Sequence, residues 1–287
     1  MDVNKAYLYE TVKTLSEVES ARNYRNLETL DKTAAYIKRK FERYGYTAKE
    51  QKYDVEGNEY KNIIVTAGPE DAPTLVVGAH YDVCGDQPGA DDNASGIAGL
   101  LELARLIQAN KPELRYRIEL VAYTLEEPPF FRSQLMGSYV HAKSLYDSKR
   151  QVIGMIGLEM IGYFTDKDKS QNYPLSLMKL FYPSKGDFIA LVGRFSDGLL
   201  LKHLKKNMEK TTVKVSTLKA PSFVSGIDFS DHLNYWNFGY HAVMVTDTAF
   251  FRNVNYHEET DTIEKLNFDK MREVVKGLYL AIVNDPV

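Results

Sequence analysis

Histidine and carboxylate side chains are concentrated in one short stretch of the chain, GAHYDVCGDQPGADDNASG, at residues 78–96. His80 and Asp82 are two residues apart, so in an extended strand their side chains point to the same side. This pairing is typical of a metal-bound histidine whose other ring nitrogen donates to a carboxylate. Asp91 and Asp92 follow, immediately before an apolar helical pattern. The stretch therefore predicts part of a metal site.

Three later stretches add acids and a second histidine. Glu126 and Glu127 follow the apolar run RIELVAYTL, and as neighbours they point in different directions, so one can bind a metal while the other faces a water. Glu159 lies inside IGMIGLEMIGYF, where a carboxylate without a partner would be costly to bury. NYHEETDT places His257 four residues before Asp261. All but the last stretch follow predicted strands, so parallel pairing would bring them to one edge of a sheet.

The candidate metal ligands combine two imidazoles with three carboxylates: His80, Asp92, Glu127, Glu159 and His257. Mixed nitrogen and oxygen ligands of this kind suit zinc, with manganese or cobalt as substitutes. Without a cation, so many carboxylates in one cleft would repel one another strongly. Bound divalent cations would relieve that repulsion.

Each of these residues also has an ordinary structural explanation. Asp91 and Asp92 alone are more typical of a helix N-terminal cap than of metal ligands. Glu126 and Glu127 alone could be exposed loop acids, and a lone His257 is most often a surface or hydrogen-bonded histidine. The metal hypothesis depends on the combination, because the expected convergence of strand ends explains these residues together.

The elements that must position these residues are short apolar runs alternating with helical patterns. Amphipathic helices are predicted at residues 5–20, 27–44, 93–110 and 267–285. Strands are predicted at residues 46–55, 60–68, 74–80, 117–124, 152–160, 187–193 and 241–246. The alternation predicts one α/β catalytic domain over residues 1–287, a three-layer sandwich in which a mixed, largely parallel central sheet is flanked by helices.

The composition argues against several other functions. A net charge of −3 gives no global field toward nucleic acid or anionic lipid, and no apolar stretch is long enough to cross a bilayer. The lysine-rich segment at residues 202–210 has the pattern of a solvated helix face. We expect neither nucleic acid nor a membrane as a partner. Cys84 is the single cysteine, which excludes an intrachain disulfide and leaves the compartment open between the cytoplasm and export after removal of a leader.

Six motifs occur in an order shared with one family: GAHYDV, GADDNASG, TLEE, GLEMIGY, SDHLNYWNFGYHAV and YHEETDT. In these motifs the chain resembles the dinuclear-zinc aminopeptidases, the bacterial leucyl aminopeptidase-like metallopeptidases related to glutamate carboxypeptidase and the glutaminyl cyclases. The resemblance extends from Asn62 to the last predicted helix. It implies a zinc-dependent exopeptidase, in the first place an aminopeptidase that hydrolyses peptides with a free N-terminus through a metal-activated water.

The resemblance also implies two zinc ions per chain and a role for each candidate ligand. His80 and Glu159 would hold one ion, Glu127 and His257 would hold the other, and Asp92 would bridge both. The family motif places the bridging acid four residues before the final glycine of GADDNASG, which is Asp92, and Asp91 stays open as the alternative.

Other residues of the motifs would assist without binding metal. Glu126 would be the general base that takes a proton from the attacking water. Asp82 would orient the first histidine ligand, while Asp91 and Asp261 would support the ligands from nearby. Tyr256 is a candidate donor to the tetrahedral oxyanion, and a packed aromatic side chain is an equally good explanation of it.

The substrate side of the cleft is predicted from two segments. The resemblance assigns Ser230, Asp231 and His232 of the SDH motif to it. The insertion PPFFRSQLMGS follows the paired glutamates, where the family reaches Gly-Ser quickly, so we expect a rim or lid there. Phe130 and Phe131 of this insertion would shape an apolar pocket that favours peptides with hydrophobic or aromatic ends.

Two other functions stay open on the sequence. A glutaminyl cyclase-like acyltransferase would use a related site with one zinc ion, whereas paired glutamates and five ligands favour a hydrolase with two. A non-catalytic binding module of the same fold would be expected to lack ligands, and here none is missing. Cys84 is expected to line the pocket beside the site, where the metal chemistry leaves it no role as a nucleophile. The oligomeric state is left open.

Overall fold

The computed structural model describes residues 2–284 and places eight strands in one sheet. Residue 1 and residues 285–287, which the predicted domain includes, lie outside the described part, as does the last residue of the predicted C-terminal helix. The strands are β1 (Lys49–Val55), β2 (Asn58–Ala67), β3 (Thr74–His80), β4 (Arg117–Tyr123), β5 (Val152–Glu159), β6 (Phe188–Gly193), β7 (Lys214–Lys219) and β8 (Ala242–Thr246).

The sheet is mixed, and its order is β1-β2-β4-β3-β5-β8-β6-β7. At its centre β3 pairs in parallel with both β4 and β5, and β5 pairs in parallel with β8. The β1–β2 hairpin adds antiparallel strands beside β4, while β6 runs antiparallel to β8. Because parallel strands end at the same edge, the carboxyl ends of β3, β4, β5 and β8 lie side by side.

Helices cover both faces of the sheet. They are α1 (Lys5–Ser16), α2 (Leu27–Arg43), α3 (Gly96–Asn110), α4 (Gly137–Asp147), α5 (Gly198–Met208), α6 (His232–Asn237) and α7 (Phe268–Val283). Apolar side chains of α1, α2, α3, α5 and α7 form the core on one face, and those of α4 and α6 contribute to the core on the other. This arrangement confirms the predicted three-layer α/β fold.

The predicted helices form where their apolar stripes can be buried. In α2, Leu30, Ala34, Ile37 and Phe41 are all buried, as their helical spacing predicts. Fully burying one such side chain contributes roughly 1.5–3 kcal/mol to the free energy of unfolding. The helix α7 begins at a cap in which the Asn267 side chain accepts a hydrogen bond from the Lys270 amide.

Some elements of the fold differ from the sequence prediction. The edge strand β7 was not predicted. Its side chains are only half-buried or exposed, so its sequence, KVSTLK, needs no clear apolar pattern. The helix α1 ends at Ser16, four residues earlier than predicted. In the part of the chain that the structure describes, no helix combines the length and the apolar character that crossing a bilayer requires.

Candidate active site

The predicted ligands approach one another at the carboxyl edge of the central strands. His80 is the last residue of β3, and Glu159 is the last residue of β5, the strand beside it. Glu126 and Glu127 follow shortly after the end of β4, on the other side of β3. The sheet order therefore brings residues from three chain segments to one place, as the sequence pattern predicts.

One half of the site forms around His80. The Nε2 atom of His80 lies 3.2 Å from Oε2 of Glu159 and 3.4 Å from Oδ1 of Asp92. All three side chains are buried. The ring is held from behind, since Nδ1 lies 3.2 Å from the backbone carbonyl oxygen of Asp82 and 3.6 Å from its carboxylate.

The other half forms around His257. Its Nε2 atom lies 3.2 Å from Oδ2 of Asp92 and 3.2 Å from Oε2 of Glu127. The two oxygens of Asp92 therefore face two different histidines. This carboxylate lies between the two halves of the site.

Several polar atoms of the site lack hydrogen-bond partners although they are buried. Among the described residues these atoms include Nε2 of His80, Oδ1 of Asp92, Oε1 of Glu127 and Nε2 of His257. One ligand atom each from His80, Asp92 and Glu127 lies within 4.8 Å of the others. Unpaired buried polar atoms are costly, and a cation bound among imidazole nitrogens and carboxylate oxygens would satisfy them. The donor set fits a divalent metal such as zinc.

The pKa values of these groups report an excess of negative charge. Burial alone would lower the pKa of His257, but the facing carboxylates of Asp92 and Glu127 raise it to about 11. Burial and the nearby Asp92 carboxylate raise the pKa of Glu127 to about 7. Burial also raises the pKa of Glu126 well above its usual range. Positive charge is needed to keep so many carboxylates ionised here, and a metal ion would supply it.

Asp82 supports both the first histidine and the paired glutamates. Its two carboxylate oxygens accept hydrogen bonds from the backbone amides of Glu126, at 3.2 Å, and Glu127, at 3.1 Å. The sequence predicted only the contact with His80. Asp82 therefore also holds the turn that presents both glutamates to the site.

Asp91 and Asp92 point in opposite directions. The carboxylate of Asp91 accepts hydrogen bonds from the Gly162 amide at 3.0 Å and the Asn253 side chain at 2.9 Å, away from the histidines. Asp261 accepts from the backbone amides of both aspartates. The contacts of Asp91 and Asp261 thus hold the chain so that Asp92 alone of the pair faces the site.

Arg22 is a functional candidate that the sequence analysis missed. Its fully buried guanidinium donates to the backbone carbonyls of Tyr81, at 2.9 Å, Pro88, at 2.6 Å, and Gly89, at 2.5 Å, all in the loop between His80 and the acidic pair. Burial lowers the pKa of Arg22 to about 10, against the opposing effect of the nearby acids. No local pattern in the sequence marks this arginine, because its partners are backbone atoms distant along the chain.

A cavity opens beside Glu159, which is one of its lining residues. Its walls are largely aromatic and apolar, and they include Phe188, Phe229, Met244, Phe250 and Phe251. These residues come from β6, from β8 and from the segments that follow β7 and β8, not from the predicted insertion.

Phe130 and Phe131 of the insertion are not among the residues that line this cavity, and their role in the substrate pocket stays a prediction. Phe130 packs edge-on against Tyr24 and does not line the cavity. Phe131 packs against Phe229, at 5.8 Å between ring centres, so it contacts the cavity wall from outside. The aromatic side chains of the insertion contact Tyr24, in the N-terminal segment, and Phe229, which lines the cavity.

The SDH motif contributes to the site unevenly. The Ser230 hydroxyl donates to Oε2 of Glu159 at 2.7 Å. Asp231 is buried, its Oδ1 has no hydrogen-bond partner among the described residues, and burial raises its pKa to about 7. His232 is fully buried, with Nε2 2.7 Å from the Ile227 carbonyl oxygen and its ring against Trp236, and its place on the substrate side stays a prediction.

Tyr256 lies against the second histidine. Its ring stacks on that of His257, with 3.8 Å between ring centres and an angle of 19° between the planes. Burial, and then the carboxylates of the site, raise the pKa of its hydroxyl above the usual range. The residue thus combines a packing contact with a hydroxyl that stays protonated near the site.

Comparisons with known proteins place this geometry in context. The chain is 46% identical to the uncharacterized protein YfbL of Escherichia coli over 286 residues, covering 96% of this chain and 87% of that one. It is 27% identical to leucine aminopeptidase 1 of Sclerotinia sclerotiorum, covering 80% of this chain. The chain spans about half the length of the curated leucine aminopeptidases it matches, 56% in this case.

Solved structures share the fold. LapB of Legionella pneumophila superposes with a TM-score of 0.74 at 24% identity, covering 98% of this chain and 72% of that chain. A glutaminyl cyclase of Bacteroides thetaiotaomicron superposes with the same TM-score of 0.74 at 17% identity, covering 99% of both.

The motifs that converge on the carboxyl edge of the sheet lie within one matched region of the sequence. Residues 62–282 match the model of peptidase family M28, and the chain belongs to that family of peptide hydrolases.

Proposed function

We propose that this protein is a zinc-dependent aminopeptidase that removes the N-terminal residue of peptides. The observation that carries the proposal is the position of Asp92, whose two carboxylate oxygens face two different histidines. Each histidine also faces a carboxylate of its own, Glu159 for His80 and Glu127 for His257. Two equivalent ligand groups with a shared carboxylate support a site for two ions.

The ligand assignment follows these distances. His80 and Glu159 would hold one ion, Glu127 and His257 the other, and Asp92 would bind both. Zinc bound in this way polarises a substrate carbonyl and lowers the pKa of a bound water. Asp82 keeps the ring of His80 in place and anchors the turn of the glutamates, as the partners of metal ligands commonly do.

Glu126 is the proposed general base. Its Oε2 lies 3.9 Å from Nε2 of His80, farther than the oxygens of the ligands Glu159 and Asp92. Burial raises the pKa of its carboxyl, which suits a group that takes a proton from water and passes it to the leaving amine nitrogen. Tyr256 is the proposed donor to the developing oxyanion, through its protonated hydroxyl.

The surroundings of the site support the aminopeptidase assignment. The apolar walls of the cavity beside Glu159 suit an apolar side chain of the N-terminal residue. The carboxylates of Glu159 and Asp231 are buried nearby, and a free ammonium group at the peptide terminus would pair with such acids. All these groups belong to one sheet and its loops, which supports a single catalytic domain.

The ligand arrangement favours this function over a one-zinc cyclase. A single ion would leave one histidine and its facing carboxylate without a cation, and a carboxylate oxygen lies 3.2 Å from Nε2 of each histidine. Metal stoichiometry separates the two functions.

The proposal can be tested with zinc-loaded protein and two matched peptides. We expect two equivalents of zinc, cleavage of a leucyl or phenylalanyl peptide with a free N-terminus, and loss of cleavage when that terminus is acetylated. The chelated protein is the control and should be inactive until zinc returns. Equal cleavage of the acetylated peptide would contradict the aminopeptidase assignment, and cyclisation of a glutaminyl peptide by a one-zinc protein would favour the cyclase.

A further inference from the structure

Cys84 lies beside the proposed metal centre, and the proposed function assigns it no role. It is the single cysteine of the chain, four residues after His80 in the loop that follows β3. Its Sγ atom, a carboxylate oxygen of Glu127 and a ring nitrogen of His257 lie within 4.8 Å of one another. A sulfur, an oxygen and a nitrogen atom thus surround one small space.

The two side chains beside the cysteine carry buried atoms without hydrogen-bond partners, and these point to a ligand independently of the cysteine. Glu127 is only 4% exposed, and its Oε1 has no hydrogen-bond partner among the described residues. The Nε2 atom of His257 likewise has none. Zinc binds sulfur at about 2.3 Å and imidazole nitrogen or carboxylate oxygen at about 2.0–2.2 Å. Small side-chain rotations can therefore close these three atoms around one ion.

The backbone around Cys84 is held in place. The Val83 amide donates to the carbonyl of Arg22 at 3.1 Å, and the Asn23 side chain donates to the carbonyl of Gly85 at 2.5 Å. Both neighbours of Cys84 are therefore tied to the segment before α2. These hydrogen bonds keep the sulfur near the carboxylate of Glu127 and the imidazole of His257.

We propose that Cys84 supplies a sulfur ligand to the ion held by Glu127 and His257. The inference depends on the proposed metal centre and adds a ligand to one half of it. On binding, the thiol proton passes to solvent and a sulfur–metal bond forms, so metal uptake at this half releases one additional proton.

The sulfur makes the two halves of the centre chemically different. Among the described residues, the candidate ligand groups of three or more are Cys84 with Glu127 and His257, and His80 with Asp92 and Glu127. Only the first contains sulfur. Thiolate favours zinc and cobalt over manganese, which prefers oxygen ligands. The half that contains His257 therefore selects zinc, while the half that contains His80 accepts manganese more readily.

Cobalt substitution tests this ligand directly. Cobalt-loaded wild-type protein should show thiolate-to-metal charge-transfer absorption in the near ultraviolet, and Cys84→Ser should lose this absorption while still binding cobalt. Cys84→Ala serves as the matched control, because alanine offers no oxygen that could replace the sulfur. Identical near-ultraviolet spectra of wild type and both variants at equal cobalt content would overturn the proposal.

Metal affinity gives a second readout that does not depend on activity. In Cys84→Ala we expect zinc affinity at the half that contains His257 to fall by at least about tenfold, the low end of the cost of losing a supporting partner. Manganese affinity should change less. Equal losses for both metals, or no loss, would contradict a sulfur ligand.

The outcomes also separate this inference from the proposed function. A wild-type protein that binds two metals and cleaves peptides but lacks the charge-transfer absorption retains the aminopeptidase assignment and refutes the cysteine ligand. A wild-type protein that binds no cobalt or zinc refutes both.

Discussion

Two buried clusters of this protein combine histidine with carboxylate, yet they differ in how their charges are balanced. The metal cluster, at the carboxyl edge of the sheet, contains the two histidines His80 and His257 and four carboxylates: Asp92, Glu126, Glu127 and Glu159. The tyrosine network lies on the sheet face covered by α4 and α6, and consists of Arg117, Glu119, Tyr123, His141 and Tyr235.

Close polar contacts link the members of the tyrosine network. The hydroxyls of Tyr123 and Tyr235 lie 2.7 Å apart, and the hydroxyl of Tyr235 lies 2.6 Å from Nδ1 of His141. His141 also faces Glu119 at 3.3 Å, and Arg117 donates to the same carboxylate at 3.0 Å. Burial alone would raise the pKa of Glu119, but His141 and Arg117 hold it below its usual value.

The comparison teaches that histidine and carboxylate side chains do not by themselves make a metal site. The network has one carboxylate for one arginine and one histidine, so its own side chains balance the charge. The metal cluster has four carboxylates for two histidines, and burial raises the pKa of Glu127 to about 7. The excess of negative charge distinguishes a centre that needs a cation from a cluster whose own side chains balance its charge.

Glu126→Gln should give the largest effect. Glutamine keeps the shape of the side chain but cannot accept a proton, so turnover should fall by roughly 10²–10⁴-fold. Zinc content should stay near that of wild type, because the proposal gives Glu126 no metal to bind. Peptide hydrolysis and metal analysis of the same preparation check both statements. Turnover close to wild type would remove Glu126 from the role of base.

His257→Ala should weaken metal binding and have a smaller effect on the rest of the protein. Loss of a supporting partner alone costs about 10–100-fold in metal affinity, and loss of a direct ligand should cost at least the upper end of that range. Competitive titration with a chelator measures the affinity. Unchanged stoichiometry and affinity would exclude His257 from the ligand set.

Tyr235→Phe is the corresponding substitution in the tyrosine network. It removes the hydroxyl that contacts both Tyr123 and His141, so the free energy of unfolding should fall by about 1–3 kcal/mol. Zinc content should not change. Urea denaturation and metal analysis test the pair of expectations, and a loss of zinc in this variant would contradict the separation of the two clusters.

The smallest expected effect is a pH dependence of stability caused by His232. This buried histidine belongs to neither of the two clusters. Burial lowers its pKa to about 4, against an unfolded value near 6.5. Below pH 6.5 the unfolded chain binds a proton that the folded chain does not, so stability falls as the pH falls. Between pH 6.5 and 5.5 the loss should be about 1 kcal/mol.

His232→Asn should flatten this dependence. The test compares urea denaturation of the two zinc-loaded proteins across the same pH range. Parallel curves for wild type and variant would show that another group causes the slope.

Much of the fold was predictable because it depends on local periodicity. The apolar stripe of α2 and the buried runs of β3, β4 and β5 carry their signals within a few residues. The edge strand β7 escaped prediction because half-exposed side chains leave no such signal. The paths of Phe130 and Phe131 depend on their distant partners, Tyr24 and Phe229, and no local pattern reveals those.

The sequence by itself determined which residues could bind metal, the order in which they occur, and the strands that carry them to one edge. Only the tertiary structure decided that Asp92 faces both histidines while Asp91 turns toward Gly162. It also decided that Arg22 holds the loop after His80 and that Cys84 lies close to Glu127 and His257. The physical reason is that the chemistry of a side chain is a local property. Its contacts depend on sheet order, register and backbone direction, which emerge only when distant segments pack together.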